Sequence, residues 1–230
     1  MSLLITTCVL FVGSHLLLSH PLRDPLAGRL GSRGFQIVYS VVAFATLAMV
    51  VQAWRGMPPE PPLWAVDDPL WALASLLVLV ASILFMGSLI GNPALPAPGA
   101  AFAAQKAPRG VFAITRHPMM WGFALWALAH ALVMPTPGQL VLSAAIAFLA
   151  LVGSAGQDGK KARLMGDAWR HWAARTSFVP FARQVAGVTP WGDAIPRAHA
   201  LAGGFVLWLA ATWAHGALGF MAAGIWRWIG

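Results

Sequence analysis

Six apolar stretches fill most of this chain, and their lengths decide what it can fold into. They cover residues 3–19, 35–54, 70–90, 119–134, 140–155 and 200–225. A helix needs about 20 residues to cross ~30 Å of hydrocarbon, with a lower limit near ~17. Four stretches reach that length. The fourth and fifth fall just short and share the connector Pro135-Thr136-Pro137-Gly138. That pair reads as a helical hairpin, with a re-entrant pair as the alternative. Only 10% of the residues are charged, against about 25% in soluble domains, so water cannot be the solvent for most of the surface. In lipid, a single segment satisfies its backbone polar groups only as a helix. The expected fold is therefore all-α: one polytopic transmembrane domain over residues 1–230, with about six spans. The first apolar stretch precedes its basic residues, the reverse of a secretory signal, and reads as a retained span. Many of the twelve Trp lie near span ends, where indoles favour the headgroup layer.

The formal net charge of +8 raises nucleic acid as a partner. Its distribution points elsewhere. Thirteen of the fifteen basic residues fall in the first, third and fifth loops. The second loop sets Arg55 against Glu60, Asp67 and Asp68, and the fourth carries no charge. The positive-inside rule then places the odd loops in the cytoplasm and both termini outside. The charge is topological, with a secondary attraction to anionic lipid, and no nucleic-acid partner is expected. In the fifth loop, residues 160–175 lack Pro and carry Trp169 and Trp172, which reads as an amphipathic helix on the membrane surface. The Pro-rich pieces 58–62 and 92–99 read as stiff extended loops. A single cysteine, Cys8, excludes an intramolecular disulfide and any Cys-based zinc or iron–sulfur site.

Histidine is the residue type that stands out. His15, His117, His130 and His215 lie in or at the expected spans. Each reads either as a hydrogen-bonded bridge between helices or as a ligand to metal or haem, because neutral imidazole is a ready axial ligand. Proton relay is a third reading, weakened because no Asp or Glu falls within a span. Gly122, Trp126 and His130 recur at i, i+4 on one helical stripe. That stripe offers room for a flat ring above His130, or close helix packing through the small residue. Arg116 and His117 precede Pro118 at the start of the fourth span. Donors at a helix N-terminus suit a phosphate, a carboxylate or a haem propionate, and an anchor on lipid headgroups is the plainer alternative.

Together these pieces resemble the NnrU family. They are Leu10-Phe11-Val12-Gly13-Ser14-His15, then Thr115-Arg116-His117-Pro118 with Trp121-Gly122, Trp126 and Ala129-His130, then Gly166-Asp167-Ala168-Trp169 and Thr176-Ser177-Phe178-Val179-Pro180-Phe181. The likeness covers about residues 8–185, with the stretch 200–225 as an extra span. It implies a multi-pass protein of the bacterial inner (cytoplasmic) membrane, tied to denitrification and nitric oxide reduction. The plant 15-cis-zeta-carotene isomerase is similar over the same region. That likeness implies haem b on His15 and His130 as metal ligands, with His117 matching the histidine of the Arg-His-Pro element; by the placement read above, Arg116, Gly122 and Trp126 are the further candidates around the cofactor. It also implies a lipophilic polyene or nitric oxide as the small molecule handled, and an isomerase as the candidate enzyme. The plant enzyme's cysteine three residues before its second ligand is Ala127 here, so a redox switch using it is absent. Depth complicates the pairing, since His15 lies near the cytoplasmic end of its span and His130 well along its own, which leaves His215 as an alternative partner. A weaker resemblance links Arg116-His117-Pro118 and the Gly166–Trp172 run to isoprenylcysteine and phospholipid methyltransferases. It implies S-adenosylmethionine near Arg116, His117 and Asp158, but the paired Glu of those enzymes is missing. A non-enzymatic assembly or maturation factor is the remaining reading.

Overall fold

A computed structural model describes residues 1–229, and among these all the regular structure is helical, with no strands. Helix α1 spans Ser2–Ser19 and α2 spans Arg23–Arg55. Helix α2 is interrupted at Gly31 (φ 71°, ψ 168°), a backbone conformation that glycine adopts at no steric cost. The break separates the basic segment before it from the apolar stretch that crosses the bundle. Helix α3, Asp68–Gly87, starts where Asp67 Oδ1 accepts a hydrogen bond from the Leu70 N–H (3.0 Å). Two short helices follow, α4 (Ala100–Gln105) and α5 (Val111–Ile114). Helix α6, Pro118–Val133, and α7, Pro137–Met165, form an antiparallel hairpin, each opening with proline in its first turn. Then come α8 (Asp167–Arg175), α9 (Ala182–Val185), a 3₁₀ turn (Trp191–Ala194), α10 (Ala198–Ala217) and α11 (Trp226–Ile229).

Five helices are long and apolar enough to cross a membrane: α1, α2, α3, α7 and α10. Helix α6 is apolar but has only 16 residues, or ~24 Å at 1.5 Å per residue. It lies between α3 and α7 in the bundle. The helices pack in the order α10, α3, α6, α7, α1, α2, each on the next. Small residues set the closest crossings. A Cβ added at Gly122 of α6 would meet Ala81 O of α3 at 2.9 Å, and one at Gly204 of α10 would meet Ile83 Cα at 2.6 Å. Close approach of this kind is how helices gain contact where lipid removes the hydrophobic drive. Large apolar side chains such as Phe44 (72% exposed) and Val206 (63%) point outward, as a lipid-facing surface requires.

Two expected elements differ. The amphipathic helix over 160–175 is two helices: residues 160–165 prolong α7, and Gly166 (φ 57°, ψ −128°) turns the chain before α8 begins. The final span ends at Ala217, not at residue 225. Gly219 (φ 80°) and Gly224 (φ 61°) reverse the chain there. Trp226 Nε1 then donates back to Leu209 O and Thr212 Oγ1, both at 3.2 Å. The Arg227 guanidinium lies 4.7 Å from the Trp71 ring centroid and 3.1 Å from Asp68 Oδ1. Periodicity saw only the apolar character of 218–225 and missed the two positive-φ glycines.

The bundle has two unlike ends. One holds the α1–α2 turn, the segment between α3 and α6, and the chain after α7; most of the basic residues are there. The other holds Glu60, Asp67 and Asp68 and is tied across by the α2–α3 loop. Glu60 Oε2 accepts from the Gly138 N–H (2.6 Å), and Pro135 O accepts from the Leu63 N–H (2.8 Å).

Candidate functional site

At the basic end, Thr115, Arg116 and His117 leave α5 in extended conformation and enter α6 through Pro118. The side chains of Arg116 and His117 turn toward α7. Arg116 Nε donates to Asp158 Oδ2 at 2.8 Å, and Arg116 Nη2 bonds the same oxygen. His117 Nε2 lies 2.7 Å from Asp158 Oδ1. One carboxylate thus engages both basic groups, with His117 only 2% exposed. The donors read from the sequence as awaiting an outside anion are held by an anion of the same chain. Asp158 stands in the last two turns of α7, one helix away from them, so its role follows from packing and not from sequence spacing.

The chain after α8 straps this node shut. Phe178 O accepts from Thr115 Oγ1 (2.6 Å) and from Trp121 Nε1 (2.9 Å). The Arg116 N–H donates to Ser177 O at 2.8 Å, and the Phe181 N–H to Ile114 O at 2.9 Å. The Phe178 ring lies 5.6 Å from both the His117 ring and the Arg116 guanidinium. Trp169 sits 6.2 Å from the His117 ring. The segments 115–121 and 169–181, some sixty residues apart in the chain, are therefore one structure. A partner that sequence reading missed is Lys161. Taken as a surface cation, it is buried (8% exposed) and its Nζ donates to Pro93 O and Leu95 O at 3.1 and 3.2 Å. With Gln157 Nε2 on Ala94 O (3.0 Å) it clasps the Pro-rich loop to the end of α7.

A second constellation lies toward the acidic end. His130 is near the end of α6, and its ring packs on Trp126 at a centroid distance of 4.0 Å, tilted by 36°. The His215 ring of α10 lies 6.1 Å away, tilted by 33°. His15, by contrast, is on α1, which packs on α2 and α7. Its ring neighbours are Phe11 at 4.4 Å and Tyr39 at 5.5 Å. The structure brings His130 to His215 and Trp126, while His15 belongs to a separate cluster. Gly122, four residues before Trp126, faces the α3 backbone, so the space beside it is filled by α3 and not left for a flat ring.

The three histidines share one local chemistry. In His15, His130 and His215 the Nδ1 lies 2.8 Å from the carbonyl four residues back, those of Phe11, Trp126 and Ala211. A carbonyl only accepts, so each Nδ1 carries the proton. Each Nε2 then presents a lone pair, and among the described residues none of the three makes a hydrogen bond. Fixing the tautomer through Nδ1 is how proteins prepare a histidine for metal ligation. The donor set around His130 and His215 fits an iron held by two histidines.

A family model described as "NnrU protein" matches residues 3–223. The match takes in α1 and α10 as well as the motif segments between them. No curated protein and no solved structure matches this chain.

Proposed function

The chain belongs to the NnrU family, and on that premise we propose that it is a multi-pass membrane protein that binds b-type haem through His130 and a second intramembrane histidine. The observation that carries this reading is the shared Nδ1-bonded, Nε2-free state of the membrane histidines, with His215 6.1 Å from His130. His215 is the partner favoured by geometry, and His15 is the one favoured by the resemblance. When bound, the haem supplies an iron centre that exchanges single electrons, binds nitric oxide or acts as a Lewis acid. The protein's part is to fix and surround it. The carbonyls of Trp126 and Ala211 hold the imidazole tautomers. The Trp126 indole fixes the plane of His130. The Arg116–His117–Asp158 node sets the start of α6, and so the position of His130 twelve residues on. The outward apolar surface gives a lipophilic substrate, such as a polyene, access from the bilayer. By the positive-inside rule the basic end faces the cytoplasm, in a bacterial inner membrane, and nitrogen-oxide reduction is the setting.

Absorption spectra of the detergent-purified chain, oxidised and dithionite-reduced, test this beside His15→Ala, His130→Ala and His215→Ala. A Soret band lost in His130→Ala and His215→Ala but kept in His15→Ala establishes the pair that the geometry favours. Loss in His130→Ala and His15→Ala instead assigns the pair implied by the resemblance. A colourless wild type expressed with ample haem overturns the haem reading.

A further inference from the structure

The basic end holds a cavity that takes no part in the histidine chemistry. Its volume is about 130 Å³, several times the ~30 Å³ that a water occupies. It opens where α3 ends, between Gly87 and Gly91, and its far wall is the start of α10. Lys106, Arg109, Arg197 and His199 line it, and no carboxylate does. Arg109 is paired with Asp193, but Lys106 and Arg197 have no acidic partner among the described residues.

Two further features point into the same chemistry. Trp172 forms part of the wall and is 2% exposed, yet its indole N–H has no hydrogen-bond partner. A buried donor left unpaired is costly, and native structures leave few of them. Helix α10 begins at the cavity with Arg197 as its N-cap and no side-chain cap. The N–H groups of Ala198 and His199 have no intrahelical acceptor, and the positive end of a 20-residue helix dipole stands behind them. Free backbone N–H donors at the start of α10, cations without a carboxylate partner and a pocket of this size suit a phosphate group. The location agrees, since α3 ends here and phospholipid phosphates lie at the ends of spans.

We propose that this cavity is a phosphate-binding site, taking either the headgroup of an anionic phospholipid or free phosphate. Lys106 and Arg197 supply the charge and the first turn of α10 supplies backbone donors, while Trp172, whose ring forms part of the wall, senses occupancy.

The test uses the full chain in a non-ionic detergent, labelled with ¹⁵N at its indoles. The Trp172 resonance is assigned from its disappearance in Trp172→Phe. Inorganic phosphate and dihexanoylphosphatidylglycerol are titrated separately at constant ionic strength. The expected result is a saturable shift of that resonance, with the midpoint raised at least tenfold in Arg197→Gln and in Lys106→Gln. Both side chains are exposed, so both variants keep the fold, which circular dichroism checks. Saturation by the lipid alone identifies a headgroup site, by phosphate alone a free-ion site, and by both a site that reads only the phosphate. A resonance that does not move with either probe, or moves with the same midpoint in both variants, overturns the proposal. Neither arm depends on haem, so this outcome and that of the absorption spectra are read separately.

Discussion

The two ends of the bundle use their polar residues in opposite ways. At the basic end, Arg116, His117 and Asp158 satisfy one another, and the strap at 176–181 covers them. At the acidic end, His130 and His215 fix one ring nitrogen each and leave the other free. A closed network holds structure, because any missing member strands a buried charge. A fixed imidazole with a spare lone pair is prepared for a ligand, because the helix needs only its Nδ1 bond. Both ends draw on residues of the same family motif. The motif therefore mixes framework residues with ligand-facing ones, and its spacing does not say which is which.

The largest effect should come from breaking the closed end. Asp158→Ala leaves the side chains of Arg116 (16% exposed) and His117 (1% for the side chain alone) without their carboxylate. Removing one partner of a buried ion pair costs about 3–5 kcal/mol. Denaturant unfolding in detergent should show a loss of that order, and a change below about 1 kcal/mol would mean the node is not a framework. Next in size is Gly122→Ala, whose Cβ would press on Ala81 O, a backbone atom that cannot swing aside. Overpacking of this kind costs about 1–3 kcal/mol, read from the same unfolding curves. At the other end the balance reverses. In haem-free protein, His130→Ala removes only an intrahelical side-chain bond and ring contacts, and should cost about 1 kcal/mol or less. The same substitution should abolish the Soret band. A large stability loss there, with the spectrum unchanged, would erase the distinction between the two ends.

How much of this was written in the chain can be judged from particular residues. Apolar runs located the helices because lipid allows no other backbone solution, and Pro118 marked one of their starts, while Pro137, read as part of a connector, opens α7. What sequence could not show was direction and partnership. Only the weaker methyltransferase resemblance grouped Asp158 with Arg116 and His117, whereas in the structure α7 runs nearly three turns past its apolar stretch and carries the carboxylate to Arg116 as an ion-pair partner. Lys161, on the same extension of α7, looked like a surface cation. Gly122 offered open space or close packing, and only the approach of α3 decides between them. For His130 the resemblance favoured His15, with His215 only an alternative left open by depth, and in the structure it is the His215 ring that is its neighbour.

The smallest effect concerns pH, and it too separates the ends. His20 sits in the turn between α1 and α2, with its ring against Gly156 of α7, where a Cβ would meet the ring at 2.6 Å. Burial, and then the charges of Lys160 and Arg163, hold its pKa below the usual 6.5. The folded protein thus resists protonating His20 more than the unfolded chain does. Its contribution to stability is complete above about pH 6.5 and is lost as the pH falls through the lowered folded-state value. Acidification from pH 7.5 to 5 should therefore lower the melting temperature of the detergent-solubilised protein. In His20→Gln that drop should shrink, because glutamine keeps a polar side chain on Gly156 but cannot take up the proton. If the two profiles superimpose, the acid sensitivity belongs elsewhere, and the basic end is held by its ion pairs without help from the α1–α2 turn.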